Sequence, residues 1–287
     1  MTQGASGARA RSDFDRCPVS EGPPSRRVVV ATRGIGYAER VLVGLAVQEI
    51  TPDAVLLTGG PVGRSLAKRV RGLTRRRPRE LWSSSLRHLL ERSQGGEVLW
   101  RALGWASEDV GPLNGSRMLD VLRASRPDYL VLAGTGIVSA ATLAIPTIGT
   151  LNVHPALLPW VPGVSVFEPS LQRGIPLGVT AHFVDQGIDT GPVIHRELVP
   201  VTPRDTLASL ERKTDRLAED VMIEVVAKAA RGATLASTPQ REKHPLCYPP
   251  SERDVRALAA AVDDGLAYRL YTAWRTRYES RVLPATA

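Results

Sequence analysis

Val28-Val29-Val30-Ala31-Thr32 is a continuous apolar run, the pattern of a strand covered on both faces of its sheet. Gly34 and Gly36 turn the chain, and Val41, Leu42, Leu45 and Ala46 then recur at helical spacing between Ala38 and Ile50. Ala54 to Thr58 is a second buried-type run, ended by Gly59-Gly60-Pro61. Strand, helix, strand in this order needs a crossover and predicts a parallel pair. Regular patterning returns with Met118, Leu119 and Leu122 on a helix, then Tyr129 to Ala133 as a strand closed by Gly134. Ile148 to Val153 reads as another strand, and Gly178–Val184 and Val193–Val201 as two more, close enough to be antiparallel neighbours. Asp205 to Arg231 is a long helix with Leu207, Leu210, Leu217, Val221 and Val225 on one face. Thr202-Pro203-Arg204-Asp205 offers its cap. The predicted architecture is α/β, with a mostly parallel central sheet flanked by helices.

Three segments break the pattern. Residues 1–25, rich in Gly, Ser, Pro and Arg, read as a disordered leader ahead of a catalytic domain at 26–235. Residues 61–105 read as an insertion on the α/β core, with helices around Leu81–Glu91 and Glu97–Leu103. Residues 236–287 read as a helical extension with Leu258, Val262, Leu266 and Leu270 on one stripe. That extension is too short for a second full domain and is the candidate surface for pairing two copies of the chain.

Composition narrows the class. With 43% hydrophobic and 23% charged residues the chain has the balance of a globular protein, and no apolar run is long enough to span a bilayer. The first 24 residues hold no apolar stretch of the secretory kind, and Cys17 and Cys247 are too few for a disulfide framework, so a cytoplasmic protein is expected. No cluster of His, Cys and Asp has metal-ligand spacing, and no metal is expected. The net charge of +8 has one source: eight basic residues and no acidic one lie between Arg64 and Arg79. Without interleaved aromatics the run reads mainly as a solvated face, with attraction of a phosphorylated substrate and RNA binding as the alternatives.

The chemistry-bearing stretch is Leu151-Asn152-Val153-His154-Pro155-Ala156-Leu157-Leu158-Pro159, followed by Gly163. Asn152 and His154 fall two apart at a strand end, so both side chains share one face, roughly 7 Å apart at their backbones. An amide donor and an imidazole side by side there suit a developing oxyanion and a moving proton. Taken alone, however, a His-Pro at a strand end reads as structural. The second stretch, Gly178-Val179-Thr180-Ala181-His182-Phe183-Val184, runs into a loop with Asp185, Gly187, Asp189 and Gly191. By composition that loop is an acidic turn between antiparallel strands. His182, His195, His88 and His244 read as structural.

Together the two stretches resemble the folate-dependent formyltransferases, the family that includes glycinamide ribonucleotide formyltransferase and methionyl-tRNA formyltransferase. The family pattern is Asn-x-His-Pro-Ser-Leu-Leu-Pro followed by Gly, then Gly-Val-Thr, then Asp-x-Gly. This chain has Asn152, His154, Pro155, Leu157, Leu158, Pro159 and Gly163, then Gly178-Val179-Thr180, then Asp189 and Gly191. The resemblance covers about Arg27 to Ala230 and implies a Rossmann-like formyltransferase fold. It implies transfer of a formyl group from 10-formyltetrahydrofolate to an amine, with Asn152, His154 and Asp189 as the catalytic residues. Asp189 would orient His154, favour its charged form and hold a water or the amine. The resemblance also assigns the folate to two segments. One is the loop with Gly134, Gly136, Ile137 and Val138, and with Leu143 beyond it. The other is the loop Asp185-Gln186-Gly187-Ile188, in which Gly187 is expected to use a backbone conformation that a β-branched residue reaches only with difficulty.

Departures from the pattern narrow the acceptor. Ala156 stands where the family usually has serine. Thr32-Arg33-Gly34-Ile35-Gly36 lacks the Gly-Ser-Asn phosphate grip of the glycinamide ribonucleotide enzymes, and about fifty residues follow the core, fewer than the second domain of the tRNA enzymes. The expectation is therefore a small-molecule amine, a nucleotide-linked amino sugar or a specialised metabolite. Rivals are a formyltetrahydrofolate hydrolase on the same fold, a tRNA formyltransferase, and a folate-binding module without turnover.

Overall fold

The computed structural model describes residues 25–33, 35–59 and 107–282, with the side chains of 35–37 and 277–282 left aside. The leader up to residue 24, Gly34 of the first loop and the 61–105 insertion with its arginine run lie outside the described residues.

Strands β1 (Val28–Thr32), β2 (Ala54–Thr58), β3 (Ser107–Gly111), β4 (Tyr129–Ala133), β5 (Gly149–His154), β6 (Gly178–Phe183) and β7 (Val193–Leu198) form one sheet. Their order is β3-β2-β1-β4-β5-β6-β7. The first five neighbours pair in parallel, while β6 is antiparallel to both β5 and β7. The continuous apolar runs are explained by two covered faces. Alternate residues Val28, Val30, Tyr129 and Val131 meet α1 (Ile35–Val47), joined there by the later helix residues Val221, Met222 and Val225. Val29, Ala31, Leu130 and Leu132 instead meet Met118 and Leu122 of α2 (Ser116–Ser125). A period of two divides one apolar run between two cores.

Two short helices, α3 (Ala140–Leu143) and α4 (Phe167–Gln172), were not marked by the periodicity, and neither was β3. In Ser107-Glu108-Asp109-Val110-Gly111 only Val110 is buried. An edge strand of this kind is formed by backbone pairing with β2 rather than by an apolar face. The long helix α5 (Leu207–Ala230) starts one step later than its expected cap. Thr206 and Ser209 form a reciprocal capping box, while the Asp205 carboxylate accepts from Thr202 N (2.8 Å) and Lys213 Nζ (2.6 Å) in the turn before it. The extension carries α6 (Glu252–Asp263) and α7 (Leu266–Val282), separated at Gly265, whose φ of 86° is left-handed. Leu258, Val262 and Ala267 pack with Leu177, Val199, Val201 and Leu210 in a third apolar cluster. Among the described residues no helix is long and apolar enough to cross a membrane.

Candidate active site

β5 delivers Asn152 and His154 to the face opposite Leu151 and Val153, and the antiparallel register sets Asn152 across from His182 and His154 across from Thr180. His154 is buried, with Nε2 2.7 Å from the Val161 carbonyl oxygen. A carbonyl only accepts, so Nε2 carries a hydrogen. The other ring nitrogen, Nδ1, faces Asp189 Oδ2 at 3.6 Å, a looser approach than a well-formed hydrogen bond. Asp189 lies in the loop after β6, with φ 55°, and its Oδ2 accepts from the Gly163 backbone N–H at 2.8 Å. A left-handed backbone at a residue other than glycine costs of order 1–3 kcal/mol, least for Asp and Asn, and persists where the surroundings hold it.

His182 is buried on β6, and its Nδ1–H donates to the Phe183 carbonyl at 2.7 Å. Nε2 is then a lone-pair acceptor, 3.3 Å from the Asn152 amide nitrogen. Burial, helped by the neighbouring His154, pushes the His182 pKa down to about 4, so the ring is neutral at neutral pH. The structural reading of His182 therefore misses a role: it engages one N–H of the Asn152 amide. The only sequence signal for this is the pairing of β5 with β6, which carries no apolar period of its own.

The loop after His154 is fixed from several sides. Thr180 Oγ1 donates to the Ala156 carbonyl at 2.7 Å and accepts from Leu158 N at 3.0 Å. Arg196 Nε donates to the Leu158 carbonyl at 2.7 Å, and its guanidinium lies over the Trp160 ring at 5.6 Å. Burial lowers the Arg196 pKa. Trp160 in turn meets Trp274 of α7 edge to face at 5.4 Å. Ala156 is buried with Val161, Val166 and Cys247, an apolar setting that suits a methyl where the family has a hydroxyl.

The residues assigned to the folate fall on two adjoining loops. Gly134 turns the chain after β4 with φ 70°. Asn114, itself left-handed, holds the next residues through Nδ2 to the Ile137 carbonyl (3.0 Å) and Oδ1 from Ser139 N (2.7 Å). Sequence reasoning passed over Asn114. Its only signal is its place in Pro112-Leu113-Asn114-Gly115, a turn composition after β3. Gly136 has room for a side chain, the nearest atom to an added Cβ being Leu113 Cδ2 at 3.5 Å. Val138 is buried, and Leu143 and Val184 pack in the same cluster, which brings the two loops together. Ile137 is 76% exposed and Ile188 40% exposed, while Gln186 is also exposed. Asp185 Oδ1 accepts from Gly187 N (3.0 Å) and Thr190 Oγ1 (2.6 Å). The expectation for Gly187 is corrected: its φ is not left-handed, and glycine is needed because the Thr190 hydroxyl occupies the space of a Cβ. The strained residue of this loop is Asp189.

A separate cleft of about 430 Å³, between Val201–Pro203 and α7, is lined by Tyr268, Tyr271 and Arg275 among others and shares no residue with this site. Among the described residues no group of His, Cys, Asp and Glu is arranged to hold a metal ion.

Residues 108–226 match the model of the formyl transferase family. The chain carries a formyl transferase domain. The matched span of this domain runs from β3 into α5 and contains Asn152, His154, His182 and Asp189. Among curated proteins the domain is 36% identical over 125 residues to a methionyl-tRNA formyltransferase of Herminiimonas arsenicoxydans, a match covering 43% of this chain and 39% of that one. The match thus spans only about two fifths of the length of such relatives. Two solved structures share the fold. A phosphoribosylglycinamide formyltransferase from Anaplasma phagocytophilum superposes with a TM-score of 0.55 at 21% identity, over 77% of this chain and 97% of that one. A sugar N-formyltransferase from Shewanella sp FDAARGOS_354 does so with a TM-score of 0.54 at 16% identity, over 81% and 86%.

Proposed function

We propose that the chain transfers the formyl group of 10-formyltetrahydrofolate to a primary amine of a small molecule, a nucleotide-linked amino sugar or a specialised metabolite. The observation that carries the reading is the His154–Asp189 pair beside an Asn152 amide oriented by a neutral His182. The residues on the two loops suit the donor: Val138 and Leu143 form an apolar seat, Ile137 and Ile188 expose apolar edges, and the 185–188 backbone supplies polar groups. The amine nitrogen attacks the formyl carbon, and the bond from that carbon to the folate nitrogen breaks as the folate nitrogen gains a proton. The second N–H of the Asn152 amide stabilises the oxyanion formed at the carbonyl oxygen. His154 Nε2 is committed to Val161, so its proton traffic runs through Nδ1, on the side of Asp189. Asp189 orients that nitrogen and holds the amine, or a water that takes the amine's proton.

A second reading, transfer to a charged tRNA, is favoured by the names of the curated relatives and by the arginine run at 64–79. One experiment separates the readings. The protein is given 10-formyltetrahydrofolate with sugar-nucleotide amines, other small amines, methionyl-tRNA or no acceptor, and both tetrahydrofolate release and acceptor mass are followed. A gain of one formyl group on a small amine is expected. Release at the same rate without acceptor means hydrolysis, and a gain on methionyl-tRNA alone means the second reading. With the confirmed acceptor, Asp189→Asn should lower turnover by at least ~100-fold, the scale of a lost acid–base function.

A further inference from the structure

We infer that Gln240, outside the matched formyl transferase residues, is a positioning residue for the Asp189 carboxylate. The inference rests on the reading that Asp189 and His154 act together on donor and amine.

The chain beyond α5 returns to the sheet at the start of β7, where Val193 and Thr238 exchange both backbone hydrogen bonds at 2.8 Å each. Two residues later the Gln240 side chain reaches the catalytic loop. Its Nε2 donates to the Asp189 carbonyl at 2.8 Å and to the Gly191 carbonyl at 2.7 Å. A primary amide has two N–H hydrogens, so both are spent on one turn of backbone. Because both partners are acceptors, the nitrogen and not the oxygen of the amide must face them. That turn needs outside support. Asp189 is left-handed, and Gly191 is packed so closely against the Phe183 carbonyl that no side chain fits there.

The same strap supports the carboxylate from its other side. Cys247 N donates to the Pro162 carbonyl at 2.7 Å, and Val164 N donates to the Cys247 carbonyl at 3.2 Å. Between them Gly163, left-handed and without room for a Cβ against the Cys247 backbone, donates its N–H to Asp189 Oδ2 at 2.8 Å. Gln240 therefore sets the backbone of Asp189, and Cys247 sets the N–H that its carboxylate receives. A small displacement of a reacting group costs rate rather than binding, and about 10- to 100-fold in kcat is the scale expected.

The test uses the full chain with Gln240→Ala and Gln240→Glu. Glutamate keeps the size but turns oxygens toward two carbonyls. Both variants should lose about 10- to 100-fold in kcat with the amine's KM little changed. In both, the Gly163 amide proton should move upfield and exchange faster with solvent, while the Leu151 and Val131 amides of the sheet keep their protection. Wild-type turnover in Gln240→Glu, or lost turnover with an unchanged Gly163 signal, overturns the inference. If the wild type transfers no formyl group to any acceptor, the functional reading falls. The amide signal then decides the positioning role alone, and an unchanged signal in both variants overturns it.

Discussion

His182 keeps its contact with Asn152 only while Nε2 is unprotonated, 3.3 Å from an amide nitrogen that can only donate. The folded ring titrates at about 4 instead of 6.5, so between those values the unfolded chain binds a proton that the folded one does not. Stability must then rise with pH across that window and fall on acidification, by up to about 3 kcal/mol, with no contribution above the ordinary value. His182→Gln removes this titration. Denaturant unfolding at several pH values between 7 and 4 should show a shallower loss in the variant than in the wild type, and equal slopes would mean that the ring is not held neutral. Asn152 and His154 were legible as a pair because two residues on one strand share a face. The contacts of His182 with Asn152 and of Asp189 with His154 were not, since each depends on antiparallel register and a loop closing over it.

At the level of elements, the strands with buried runs on both faces announced themselves, whereas β3 and the true cap of α5 did not. Backbone pairing formed the first, and a choice among neighbouring hydroxyls and carboxylates formed the second; neither leaves a hydrophobic period. The loop after β6 belongs to the same class. Its shape is held by the Asp185–Thr190 hydrogen bond, and Gly187 exists to leave Thr190 that room. Gly187→Val should push Thr190 aside and reshape the loop proposed to meet the folate. Folate affinity, measured by calorimetry, should fall about 5- to 150-fold, the effect of about 1–3 kcal/mol of overpacking, with amine affinity less affected. Unchanged folate affinity would place the donor elsewhere.

Across the whole molecule, the residues after 235 read as an appendage in the sequence, yet Gln240, Cys247 and Trp274 contact the loops that carry the site. Such contacts join backbone and side chains far apart in the chain and have no signature in spacing. Charge, by contrast, is fully legible: the segment from Arg64 to Arg79 alone accounts for the net +8. In the sequence its eight positive charges fall outside the family motifs, in a segment read as an insertion, and no aromatic residue is interleaved among them to stack bases. If they are a solvated face that at most draws in a phosphorylated acceptor, replacing Arg75, Arg76 and Arg77 with glutamine should leave folding and kcat nearly intact. The acceptor's KM should rise modestly, and the rise should shrink with salt, because exposed charges are screened within ~10 Å at 0.1 M. A tRNA-acting enzyme would behave otherwise. Neutralising phosphates releases counterions, so its wild type would bind tRNA with a steep salt dependence and the triple variant would lose that binding. Sub-micromolar, salt-sensitive tRNA binding that vanishes in the variant would therefore overturn the small-molecule reading.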